Sequence, residues 1–182
     1  MRAGRCERLW KRVSVLWVVL GLVAVQRLIE LWYAQRNTRR LLERGGVEAG
    51  AGHYPLFVLL HASWLIAMAL FVAPATQPNW WLLALFAALQ AARVWIVRSL
   101  GAYWTTRVIT VPGAPLVRRG PYRFVRHPNY AVVCAEIAVL PLAFGALSIA
   151  IVFSVLNAAL LWLRIRVEET ALQPRLDDGF LG

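Results

Sequence analysis

The sequence predicts an all-α integral membrane protein of about five transmembrane helices, and three observations predict it. First, 60% of the 182 residues are hydrophobic and only 16% are charged, too little charge for a soluble domain of this length. Second, apolar runs at 13–34, 54–73, 80–97 and 131–163 are long enough to cross a hydrocarbon core of about 30 Å. Third, the net charge of +11 is almost wholly arginine and gathers mostly outside those runs, where positive residues mark the cytoplasmic side and meet anionic lipid headgroups. That placement excludes nucleic-acid binding, which the same charge would suggest in a soluble chain. The length allows one domain, 1–182, with a three-helix N-terminal part (1–97) and a C-terminal part (98–182).

The elements follow in order. "MRAGRCERLWKRVSVLWVVLGLVAV" resembles a signal peptide, but no small-x-small cleavage site follows and "QRLIELWYAQRN" continues the helical pattern, so it reads as a retained first helix. On its second half Gln26, Arg27 and Glu30 share one face, and Arg27 and Glu30 have pairing spacing. "QRNTRRLLERGGVEAGAG" reads as a short separate surface helix ended by Gly45-Gly46. The second span carries Pro55 in its first turn. "PATQPN" is a tight uncharged turn, and the third span opens on a Trp pair suited to a membrane interface and ends at Arg98, with Arg93 placed to snorkel. The run 131–163 would extend roughly 50 Å as one helix, so it must double back, with Pro141 and Gly145 at the corner. Five spans put both Arg-rich loops and the C-terminus on one side, the cytoplasm by the positive-inside rule, and leave the basic N-terminus on the other.

Three clusters have the residue types for chemistry. The loop 98–130 is long, basic and punctuated by Pro-Gly and Gly-Pro pairs, with a β-prone Val108–Val111 stretch, and loops of that length are usually functional. Its "RRGPYRFVRHPNY" gathers Tyr122, Arg123, Arg126, His127 and Tyr130, stiffened by Pro121 and Pro128, with Asn129 expected to cap the next helix. The second cluster is "RIRVEE", in which Arg164 and Glu168, and Arg166 and Glu169, share helical faces. The two clusters end the two arms of one hairpin, so they are expected to meet. An interfacial loop on lipid phosphates and a solvated helix end are the plain structural alternatives. The third set is Glu136, His53, His61 and Gln90, in or at the rim of apolar segments. A carboxylate inside a membrane helix points to function by default, and Glu136 has Arg93 and Arg27 as candidate partners. His53 and His61 have no second such pair to complete a haem site, and no metal is expected. Cys6 and Cys134 read as free thiols. The Rossmann, P-loop and G-x-S-x-G patterns are absent from the sequence.

"GPYRFVRHPNY", a helical hairpin and "RIRVEETAL", in that order and preceded by "LGAYWTTRV", resemble the C-terminal half of the isoprenylcysteine carboxyl methyltransferase family over about residues 98–173. The N-terminal half resembles a bacterial branch of that family, some members of which are associated with type III polyketide synthases and O-methylate alkylpyrones. The resemblance implies S-adenosylmethionine as methyl donor, S-adenosylhomocysteine as product, and a pocket on the cytoplasmic side. By motif position it implies that Tyr122, His127, Pro128, Asn129, Tyr130, Glu168 and Glu169 bind the cofactor. The expected reaction is methylation of a carboxylate or acidic enol on a lipid-tailed acceptor, isoprenylcysteine-like or alkylpyrone-like. Arg164 or Arg126 would orient the acceptor oxygen beside Glu168, and the tail would lie near His61, Trp64 and Glu136. Membrane lipids are the other expected partners, and the oligomeric state is left open. Distant membrane sterol reductases share parts of the hairpin pattern, so an NADPH-dependent reductase stays open, as does a non-catalytic membrane protein.

Overall fold

A computed structural model describes residues 14–49, 54–113 and 119–178, with side chains described as far as residue 167. It contains five helices and a two-stranded sheet: α1 (Val15–Glu43), β1 (Val47–Ala49), α2 (Tyr54–Phe71), α3 (Trp80–Leu100), β2 (Val108–Thr110), α4 (Pro128–Ala143) and α5 (Leu147–Asp178). Four of the helices are long and apolar enough to cross a membrane, and α4 is a shorter apolar helix. This is the all-α integral membrane architecture expected.

The differences from expectation have local causes. The surface helix after the first span is not separate, because nothing between Ala34 and Gly45 breaks a helix and α1 runs unbroken to Glu43. Gly45, at φ 81°, then turns the chain. Helix α3 runs past Arg98 to Leu100, where Gly101 at φ 55° stops it. The β-prone stretch finds a partner in Val47–Ala49, pairing antiparallel with Val47 opposite Thr110 and Ala49 opposite Val108.

Two ties fix the faces of the bundle. At one end, the Asn79 N–H donates to the Ala143 carbonyl at 2.7 Å, and the Ser14 hydroxyl bonds to the Pro74 carbonyl. The 74–79 turn, the hairpin corner and the start of α1 therefore share a level. Asn79 caps α3 there by accepting from the Trp81 and Leu82 amides. At the corner Pro141 lies inside the last turn of α4 and Gly145 takes φ 71°. At the other end the β1–β2 sheet ties the loop after α1 to the loop after α3. The uncharged turns and the Arg-rich loops thus lie at opposite ends, as the charge pattern implies.

Side chains such as Leu22, Leu28, Trp32, Leu59, Ile66, Leu70, Trp81, Val155 and Trp162 form an exposed apolar exterior, a surface whose partner is lipid. Inside, Leu16, Leu20, Trp64, Met68, Phe86, Ile137 and Leu140 pack in one core towards the hairpin corner. A smaller core of Ala34, Ile96 and Trp104, with Tyr122 and Val132 against it, lies towards the loops.

Candidate functional site

The two charged ends of the hairpin meet. Arg164, near the end of the apolar part of α5 (Leu147–Val167), donates from Nε to the Tyr130 hydroxyl at 2.8 Å and from Nη1 to the Thr106 carbonyl at 2.7 Å. Its guanidinium lies 5.4 Å from the Phe57 ring centroid and 5.8 Å from that of Tyr130. Three segments thus converge on one cation of α5: α2, the loop before β2, and α4. Nη2 makes no hydrogen bond among the described residues, which do not include the side chain of Glu168 one turn further along α5.

His127 stacks on Tyr130, with centroids 5.1 Å apart and planes at 14°. The helix start corrects one expectation. His127, not Asn129, is the N-cap of α4, because Pro128 supplies the preset φ of the first helical position. Asn129 then falls in the first turn, where its Oδ1 is buried with no hydrogen-bond partner among the described residues. Among the described residues no side chain caps α4, and the start of a helix carries partial positive charge that suits an anion.

The loop is held by contacts with no signature in the sequence. Buried Asn37 on α1 donates from Nδ2 to the Gly101 carbonyl at 3.1 Å and the Trp104 carbonyl at 2.9 Å. Arg119 Nε donates to the Ser99 carbonyl at 2.7 Å. Gly120, at φ 59°, lies so close to α3 that an added Cβ would come 2.1 Å from Ser99 Oγ. Arg107 pairs with Glu48 of β1 at 3.0 Å and lies over the Tyr54 ring. Tyr122, within the 3-10 turn 120–123, packs against the small core of Ala34, Ile96 and Trp104. Arg126 is exposed and Pro128 buried. Residues 168 and 169 continue α5, and the side chains of Glu168 and Glu169 lie outside the described residues, as does His53.

The third set assembles differently. Glu136, with no exposed surface, accepts from Arg27 Nη2 at 2.5 Å, Arg93 Nη1 at 3.3 Å and Gln90 Nε2 at 2.9 Å. Glu30 accepts from Arg93 Nη2 at 2.7 Å and Arg27 Nη1 at 3.1 Å. Two arginines and two glutamates therefore form a neutral lattice joining α1, α3 and α4, and on α1 and α3 it falls between the two apolar cores. Arg93 does not snorkel. It is only 6% exposed, because two carboxylates inside the bundle give it a better partner than distant water. The open tail-binding surface expected at His61, Trp64 and Glu136 is closed at two of its three positions, since Trp64 and Glu136 are fully enclosed. His61 keeps partial exposure. Its Nδ1 donates to the Phe57 carbonyl at 2.8 Å, one turn below the ring that covers Arg164.

The chain is 40% identical over 161 residues to the uncharacterized protein YpbQ of Bacillus subtilis (strain 168), covering 86% of this chain and 96% of that one. It is 23% identical over 163 residues to an uncharacterized protein of Haemophilus influenzae (strain ATCC 51907 / DSM 11121 / KW20 / Rd), covering 85% and 93%. No solved structure matches significantly. The family model described as Isoprenylcysteine carboxyl methyltransferase (ICMT) family matches residues 82–174, a span that includes the histidine–tyrosine loop, the hairpin and Arg164. The chain is an integral membrane protein that belongs to the isoprenylcysteine carboxyl methyltransferase family.

Proposed function

We propose that this membrane methyltransferase takes its methyl group from S-adenosylmethionine. It delivers the methyl to an anionic oxygen, a carboxylate or acidic enol, on a lipid-tailed acceptor at the cytoplasmic face. The observation that carries the reading is the junction of Arg164 with Tyr130 and Thr106. It brings the two family motifs within hydrogen-bond distance of each other, which supports a single site.

The residues present fit the donor. The buried Asn129 Oδ1, with no hydrogen-bond partner among the described residues, is an acceptor suited to an ammonium, an exocyclic amine or a ribose hydroxyl. The start of α4 and His127 suit the donor's carboxylate. Tyr122, Pro128 and Tyr130 supply the walls, and Glu168 and Glu169 offer carboxylates for its cationic and hydroxyl groups. When bound, S-adenosylmethionine supplies an electrophilic sulfonium methyl and leaves as S-adenosylhomocysteine.

The chain's own work is positioning. A carboxylate with a pKa of about 4 is already ionised at neutral pH and needs no base. Arg164, held by Tyr130 and Thr106, fixes the acceptor oxygen through its guanidinium, and exposed Arg126 screens the approach. Phe57 and Tyr130 cover the guanidinium and keep water from the reacting oxygen. The tail lies along α2 past His61.

Calorimetric titration of the purified protein tests the reading. S-adenosylhomocysteine is expected to bind, NADPH is not, and His127→Ala and Glu168→Ala are each expected to lose binding while remaining folded. Binding of NADPH instead, or unchanged S-adenosylhomocysteine affinity in both variants, overturns it.

A further inference from the structure

One face of α1 is too cationic for its place in the fold. Trp32, Arg36, Arg39, Arg40 and Glu43 line a shallow groove of about 370 Å³ at the loop-bearing end of the helix. They follow the helical repeat, so all five side chains point the same way. Trp32 is 62% exposed, and Arg36 lies over its ring at 5.9 Å. Arg39 and Glu43 have the spacing of a helical ion pair. Yet none of the three arginines or Glu43 joins an ion pair among the described residues. Elsewhere in this chain, described arginines near carboxylates do pair, at Arg27, Arg93 and Arg107.

The depth of the groove says what it meets. Ser14 is tied to the Pro74 turn, which sets the far membrane level. Counting 1.5 Å per residue from Val15, Trp32 lies about 26 Å along the helix and Arg36 about 32 Å. Arg39 and Arg40 lie about 36–38 Å along it. A hydrocarbon core of about 30 Å, within a bilayer of about 40–45 Å, ends between Trp32 and Arg36 and places the phosphate layer at the three arginines. An indole at the boundary with guanidinium groups just beyond it matches the division between acyl chain and head group.

We propose that Arg36, Arg39 and Arg40, with Trp32 below them, hold the phosphodiester head group of an anionic membrane lipid, whose acyl chains run down the exposed Leu28 and Trp32 side of α1. The arginines supply charge and fork-shaped donors to the phosphate oxygens. Glu43 at the rim opposes a second negative charge and limits the site to one phosphate. The residues lining the groove include neither Arg164 nor any residue proposed to bind the methyl donor.

Native mass spectrometry of the full chain from mixed micelles of phosphatidylglycerol and phosphatidylcholine tests the proposal. The unaltered protein is expected to retain one phosphatidylglycerol in preference to phosphatidylcholine. Arg36→Gln/Arg39→Gln/Arg40→Gln should weaken that retention by about a hundredfold, counting roughly fivefold per arginine at the surface. Glu43→Gln should strengthen it by a few fold. S-adenosylhomocysteine binding, unchanged in both, shows that the variants are folded. Equal retention of the two lipids, equal retention by the triple variant, or full displacement of the lipid by millimolar inorganic phosphate overturns the proposal, the last because a soluble anion would then suffice.

Discussion

Two sets of arginines in this molecule face opposite problems. Arg27 and Arg93 lie inside the helix bundle, and each finds both Glu30 and Glu136 within ion-pair distance. Arg164 lies at the loop-bearing end and is held by a phenol, a backbone carbonyl and two aromatic faces. The first arrangement cancels its own charge and leaves nothing for a ligand. The second fixes a cation while leaving its charge uncancelled among the described residues. A buried charge is therefore not in itself a sign of catalysis. What separates the two roles is whether the protein has already supplied the counter-ion.

The largest effect should come from breaking the neutral lattice. Glu136→Ala leaves Arg27 and Arg93 sharing one carboxylate in an apolar interior, and loss of one partner from a buried ion pair costs about 3–5 kcal/mol. Thermal unfolding in detergent should show this as a large drop in midpoint, with no selective loss of turnover in the fraction still folded. Unaltered stability would mean that the lattice does not hold α1, α3 and α4 together. Arg164→Ala is the converse. Turnover should fall about a hundredfold, the scale of letting the reacting oxygen drift by about 1 Å from its line of attack. S-adenosylhomocysteine affinity and the unfolding midpoint should stay close to those of the unaltered chain. A stability loss matching that of Glu136→Ala would make Arg164 structural and erase the contrast.

The same contrast explains what could be read in the sequence. Spans, corner and the meeting of the hairpin ends follow from run length, Pro141, Gly145 and charge placement, because lipid imposes those patterns on any chain that crosses it. Arg27, Arg93 and Glu136 were legible as partners, since a charge inside a membrane helix must have one. Their joint closure was not, because it depends on how helices rotate about their axes, and each helix is apolar nearly all round. Thr106 acts through a carbonyl that every residue has, and Asn37 sits unmarked in an Arg-rich stretch. Phe57 reads as one more lipid-facing aromatic until α5 brings Arg164 beside it. The Asn129 cap failed because Pro128 already fills the first helical position.

A smaller effect is expected where the loop presses on α3. Gly120→Ala adds a methyl 2.1 Å from Ser99 Oγ at a φ of 59°, and the left-handed conformation alone costs about 1–2 kcal/mol. The loop should shift by moving Arg119 off the Ser99 carbonyl, weakening S-adenosylhomocysteine binding several fold while the lattice and the bundle stay intact. Adding Ser99→Gly removes the hydroxyl in the way and should recover part of that affinity. No recovery would place the cost in the backbone alone.

The smallest effect belongs to Asn157, and it sharpens the comparison. Asn157 on α5 is 1% exposed, and among the described residues its Oδ1 has no hydrogen-bond partner and its Nδ2 reaches only Cys134 Sγ, at 3.4 Å. It is buried as deeply as the lattice, yet among the described residues it has no charged partner. A buried polar group that is poorly satisfied contributes little, and an apolar side chain of similar shape in its place is nearly neutral or stabilising. Asn157→Leu should therefore change the unfolding midpoint by no more than the equivalent of about 1 kcal/mol, in either direction, and leave turnover unchanged. A drop comparable to that of Glu136→Ala would show that the α4–α5 contact depends on this amide. In that case burial depth, and not charge cancellation, would be what divides the structural polar groups of this protein from the functional ones.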